Sequence, residues 1–76
     1  MSKINFKVTG RIKKTGSGSL VDFIANGEIE RDGELIPCKV GYYDMATGLI
    51  PAFIYIKDGI TENGNHYNKE TIKLDY

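Results

Sequence analysis

The chain has one cysteine, one histidine, two prolines and no tryptophan in 76 residues. A lone Cys38 closes no internal disulfide and brings no second sulfur to a zinc site, so a reducing compartment is expected. No run of about 18 apolar residues exists, and polar residues alternate through 1–10 where a secretion signal would be apolar. These absences predict a soluble, cytoplasmic chain with no membrane partner. One domain over 1–76 is all this length can hold, and such a domain buries only about 60% of the surface its unfolded chain exposes. Help from a homodimer or larger assembly is therefore expected. A final absence turns the reading round: residues 1–21 contain no Asp or Glu.

Lys3, Lys7, Arg11, Lys13 and Lys14 give residues 1–21 a charge of +5, and the remainder carries −5, so the formal zero hides a polarised molecule. A basic beginning against an acidic middle suits an anionic partner approached from one side, and single-stranded nucleic acid is the first candidate.

Apolar residues recur with period two. Ile4, Phe6, Val8 and Ile12 read as the inward side of a first strand, followed by a flexible Gly/Ser turn over 13–19. In a second strand over 20–30, Val21, Phe23, Ala25 and Ile29 share a face, and Gly27 permits a bulge or bend. Asp32-Gly33 is a type I′ hairpin signal. The third strand places Ile36, Cys38, Val40 and Tyr42 on one face, with Pro37 at an edge because it lacks an amide donor. Residues 44–48 are long enough for one helical turn capped by Asp44, or for a plain loop. A fourth strand follows over 49–60, Asn63-Gly64-Asn65 turns the chain, and a fifth runs over 70–76. The expected fold is all-β, a five-stranded antiparallel OB-like barrel with at most one short helical turn.

Catalytic chemistry is not expected. His66 lies beside a turn, far in sequence from Cys38 on an apolar strand face, and no third group announces a Cys/His pair. Thr15-Gly16-Ser17-Gly18-Ser19 lacks the Gly-Lys-Ser/Thr ending of a phosphate loop, and no helix follows it. Glu28, Glu30, Asp32 and Glu34 match no calcium loop and read as a solvated hairpin. No metal or cofactor is expected.

The polar sides of the strands are more telling. With even-numbered residues inward, Lys7, Arg11, Lys39, Tyr43, Phe53, Tyr55 and Lys57 collect on one surface, with Lys13 and Lys14 at the base of the turn and Tyr67 nearby. Cations that meet phosphates and rings that stack on bases hold single strands in this way. If the fourth strand is buried on both sides, Phe53 and Tyr55 are core or dimer contacts instead.

The run Ile4-Asn5-Phe6-Lys7-Val8-Thr9-Gly10-Arg11-Ile12 resembles the first strand of bacterial-type single-stranded DNA-binding proteins. Gly18-Ser19-Leu20-Val21-Asp22-Phe23, the run from Phe53 to Ile60, and Asn63-Gly64-Asn65-His66-Tyr67 with Thr71-Ile72 are similar to later parts of that family, in order. Small phage-encoded single-strand binders share the compact size. The resemblance implies an OB barrel with Greek-key connections and sequence-tolerant binding of single-stranded DNA. The chain departs from the family in its short 44–48 segment, in Pro37 where an aromatic is usual, and in having no tryptophan. The alternative is a small protein-interaction or inhibitor module that uses the same barrel as a scaffold and the acidic hairpin as a probe.

Overall fold

The computed structural model describes residues 5–74, and Ile4 of the expected first strand lies outside them. The described residues are all-β, with strands β1 Phe6–Val8, β2 Lys13–Lys14, β3 Phe23–Arg31, β4 Glu34–Met45, β5 Gly48–Ile56, β6 Gly59–Ile60, β7 His66–Tyr67 and β8 Glu70–Lys73. One antiparallel sheet runs in the order β1-β3-β4-β5-β8, with β2 also on β3, and β6 pairs with β7 in a separate hairpin.

Two turns set this order. Asp32 and Gly33 have φ of 53° and 79°, the two left-handed residues that a type I′ turn needs to match strand twist. They fix the β3–β4 register from Arg31↔Glu34 to Phe23↔Tyr42. At the other end of β4, Met45 pairs with Gly48, so Ala46 and Thr47 form a two-residue turn and the optional helical turn over 44–48 is absent. A connection this short can only return its strand as the immediate neighbour. Strands therefore follow one another in a meander, not in the Greek-key order of the expected OB barrel. Among the described residues the sheet is open, with no pairing between β1 and β8.

The core is the even face of β4 and what it meets. Ile36, Cys38, Val40 and Tyr42 are buried with Ala25, Ile29, Ile54 and Ile56, and Phe6, Phe23, Tyr67, Ile72 and Leu74 pack against them. Register explains the grouping: Ile29 faces Ile36, Ala25 faces Val40, Val40 faces Ile54, and Ile54 faces Ile72. Truncating a side chain as enclosed as Ile54 costs about 2–5 kcal/mol in such cores.

Two expected inward residues are corrected. Val8 and Ile12 are exposed, because β1 has only three residues and leaves its register where the amides of Thr9 and Gly10 both donate to the Asn26 carbonyl. The second strand begins at Phe23, with Leu20 79% exposed. Residues 20–22 bend instead, held by the Thr15 hydroxyl donating to the Val21 carbonyl and the Asp22 amide donating to Tyr42. The fourth strand likewise stops at Ile56, and Gly59–Ile60 belongs to the separate hairpin. Pro37 lies beyond the last β4–β5 partner pair, Lys39↔Tyr55, so it borders an unpaired edge as its missing amide requires.

The β6–β7 hairpin is tied to the β3–β4 turn by one carboxylate. Glu34 accepts from the Thr61 hydroxyl at 3.0 Å, the Asn63 amide at 2.6 Å and the Asn65 amide at 3.1 Å. The Asn65 bond holds the Glu34 carboxyl below its ordinary 4.5, against desolvation, and Asn63 and Thr61 add to the lowering. A carboxyl lowered on folding stabilises above its unfolded pKa and loses that contribution as pH falls through the folded value. The Glu34 side chain should therefore titrate below 4.5 by NMR, and Asn65→Ala should bring its midpoint back upward. A wild-type midpoint at or above 4.5 would refute the clamp.

Candidate nucleic-acid interface

Alternation puts odd residues of β4 and β5, and even residues of β3, on the face opposite the core. Three rows cross that outer face. Lys13, Ile24, Gly41, Phe53 and Lys73 form one, Asn26, Lys39, Tyr55 and Thr71 a second, and Lys7, Glu28 and Pro37 a third. At about 4.8 Å per strand, the first row is about 19 Å wide.

The aromatic residues make a continuous strip on this face. Phe53 and Tyr55 are stacked with ring centroids 6.1 Å apart and planes at 22°. Tyr43 meets Phe53 edge-on at 6.1 Å and 89°. All three are half-buried, so each ring offers part of its surface outward. Burial pushes the Tyr55 hydroxyl pKa up, with Tyr43 adding to the effect. The fourth strand is thus enclosed on its even side only, and Phe53 and Tyr55 are surface-strip residues.

The strip owes its position to Gly41. A Cβ on Gly41 would lie 2.9 Å from Val21 Cγ1 and 3.1 Å from Tyr55 Cε2. Since Gly41 points away from the core, Val21 is buried on the outer face beside Tyr55, and the expectation that it shares the core face is corrected. The bend over 20–22 carries it there. A β-bulge follows between Gly41 and Tyr42, where Phe53 faces Gly41 but Pro51 faces Tyr42, leaving Ala52 as the extra residue of β5. Pro51 sits beside the break in the ladder, a position that tolerates a residue without an amide.

Cations surround the strip. A concavity of about 510 Å³ is lined by Thr9, Asn26, Glu28, Lys39, Tyr55, Lys57 and Lys69, among others. A second, of about 350 Å³, is lined by Arg11, Lys13, Ile24, Asn26 and Lys39. Asn26 and Lys39 line both, so the two adjoin. Five cations border this groove and Glu28 is its one acid. None of these cations is ion-paired among the described residues, where the salt bridge joins Arg31 to Glu70 at 3.1 Å.

Comparison with protein-family models, curated proteins and solved structures returns no match. The site therefore rests on its own geometry. Of the residues expected to form it, Arg11, Lys13, Lys39, Tyr43, Phe53, Tyr55 and Lys57 are brought together, and Lys7 lies on the same face opposite Glu28. Lys14 is not with them, because it partners Phe23 and so takes the core-side parity of β3. Tyr67 is also removed: its ring lies over Gly59, where a Cβ would be 2.6 Å from its hydroxyl, and it packs against the core. Lys69 and Lys73 join the site unforeseen. Lys73 was legible, since it alternates with the apolar Ile72 and Leu74.

Cys38 sits in the core as expected, and burial pushes its thiol pKa up, with Glu28 adding to the rise. His66 is exposed.

Gly41→Ala tests the arrangement directly. The added methyl must move Val21, whose short branched side chain has little freedom, and overpacking of this kind costs about 1–3 kcal/mol. Urea unfolding followed by tyrosine fluorescence should show that loss, and an unchanged midpoint would mean that Val21 does not rest on Gly41.

Proposed function

We propose that this chain binds single-stranded DNA, with little sequence preference, across the outer face of its sheet. One observation carries the reading: two adjoining concavities, bordered together by Arg11, Lys13, Lys39, Lys57 and Lys69, lie beside Tyr55 of the stacked Phe53–Tyr55 pair. Cations along a groove neutralise phosphates and release counterions. Partly exposed rings beside them offer π-faces on which any base stacks, which gives affinity without readout of sequence. The zero net charge is no obstacle, because the acids lie mostly outside this groove.

The resemblance of the sequence to single-stranded DNA-binding proteins supports the same chemistry. Binding across a sheet face needs the row of cations and rings, and it does not need an OB barrel to close behind them. A reducing, cytoplasmic setting suits such a binder and fits the single buried Cys38. The alternative of an acidic hairpin that probes a protein partner is weakened at Glu34, whose carboxylate is engaged within the chain by Thr61, Asn63 and Asn65.

The test is fluorescence anisotropy of a labelled oligothymidine titrated with protein at two salt concentrations. Binding should be saturable and weaken with salt. Phe53→Ala and Tyr55→Ala should each cost about 1–3 kcal/mol, the worth of one stacked base, while the fold survives. Lys39→Ala should flatten the slope of log K against log salt by about 0.7, the value of one phosphate on a single strand. Absence of binding at low salt, or full affinity in both aromatic variants, would overturn the proposal.

A further inference from the structure

The acidic end of the molecule holds a second concavity. Beyond Lys39↔Tyr55 the β4 edge has no β5 partner, and the β6–β7 hairpin lies alongside it. The crease between them has a volume of about 460 Å³; Leu35, Pro37 and Ile60 give it apolar walls, and Glu28 and Glu62 rim it together with Glu34, whose carboxylate is already held by Thr61, Asn63 and Asn65. Leu35 is 53% and Ile60 59% exposed. Apolar side chains exposed beside a cavity and ringed by one sign of charge have the composition of an interface.

The matching composition is found at the other end of the same chain. Val8 and Ile12 are exposed apolar residues in a stretch whose own sequence carries Arg11, Lys13 and Lys14 and no acid, with Asp22 and Asp44 lining a concavity beside Lys14 at its far end. Within the sheet β1 pairs with β3 alone, so this stretch lies along an open edge. Val8 partners Gly27 and Lys14 partners Phe23, which gives both the parity opposite to the groove of Lys13 and Lys39. An apolar, cationic edge and an apolar, acid-rimmed crease are complementary in both respects, and a surface and its complement at different places on one molecule make a heterologous contact.

We infer that copies of this chain associate head to tail, the basic β1–β2 edge of one copy seated in the acid-rimmed crease of the next. Because the two surfaces differ, a single copy can give and receive at once, and the assembly grows without a fixed end unless the rotation closes a ring. Its charge pairs lie at an exposed rim, so salt loosens it. The inference does not rest on the proposed binding of DNA.

Sedimentation velocity without nucleic acid tests it, over a concentration series at low and high salt. The wild-type protein should grow in mean mass with concentration and shrink with salt. Glu62→Lys removes the receiving surface and Lys14→Glu the giving one; both side chains are exposed and, among the described residues, neither is in an ion pair, so folding is spared. Each variant alone should be monomeric. Mixed in equal amounts they should form a one-to-one dimer and nothing larger, because one interface can form and its ends are blocked. A monomeric wild type across the series, a variant that associates like the wild type, or a mixture that stays monomeric would each overturn the inference.

Discussion

Everything on this molecule's surface depends on the register of β4. It is a twelve-residue strand, paired with β3 along one edge and with β5 along part of the other. Its even residues Ile36, Cys38, Val40 and Tyr42 are buried. A slip of one residue would turn all four to solvent and drive Lys39 and Tyr43 into the core. That penalty, with the Asp32-Gly33 turn, leaves one pairing. Once it is fixed, Lys39, Gly41 and Tyr43 must lie outside, and β5 must bring Phe53 and Tyr55 beside them. The candidate interface is thus the complement of the core.

The same register sorts the charge. The basic beginning of the chain is laid along β3 by β1 and β2, so Lys13 reaches the outer face next to Ile24 and Lys39 stands two strands away in the neighbouring row. The acids of the β3–β4 hairpin fall at the far end of these strands. Glu28 marks the boundary, lining both the basic groove and the acid-rimmed crease. The polarity is partial, since Asp22 and Asp44 lie beside Lys14 at the basic end.

Much of this was legible beforehand. Alternation in 34–42 and 52–56 identified the core faces correctly, because each of these strands buries one side only and a single apolar parity survives in the sequence. The type I′ turn at Asp32-Gly33 was legible because it is a local preference of two residues. What escaped depends on contacts between distant segments. Val21 has the parity of Ala25 and Ile29, yet the bend over 20–22 swings it across to Gly41, and nothing within that segment records the move. The Glu34 clamp joins residues 27 to 31 positions apart. Greek-key order was what the family resemblance implied, and the two-residue turn at Ala46 and Thr47 leaves no length for such a crossing.

The shape of the outer face has a further consequence. Bulges raise the local twist of the strand that carries them, and here the bulge lies one residue from Phe53. On this face Phe53 and Tyr55 lie nearly parallel at 22°, while Tyr43, on the neighbouring strand, meets Phe53 at 89°. Rings held by their neighbours lose little further freedom when a ligand arrives, so less of the contact energy is spent on ordering them. Val21 on Gly41 serves the same end by filling the space beside Tyr55. The rings of the strip are thus packed against one another and against Val21, with exposed lysines beside them.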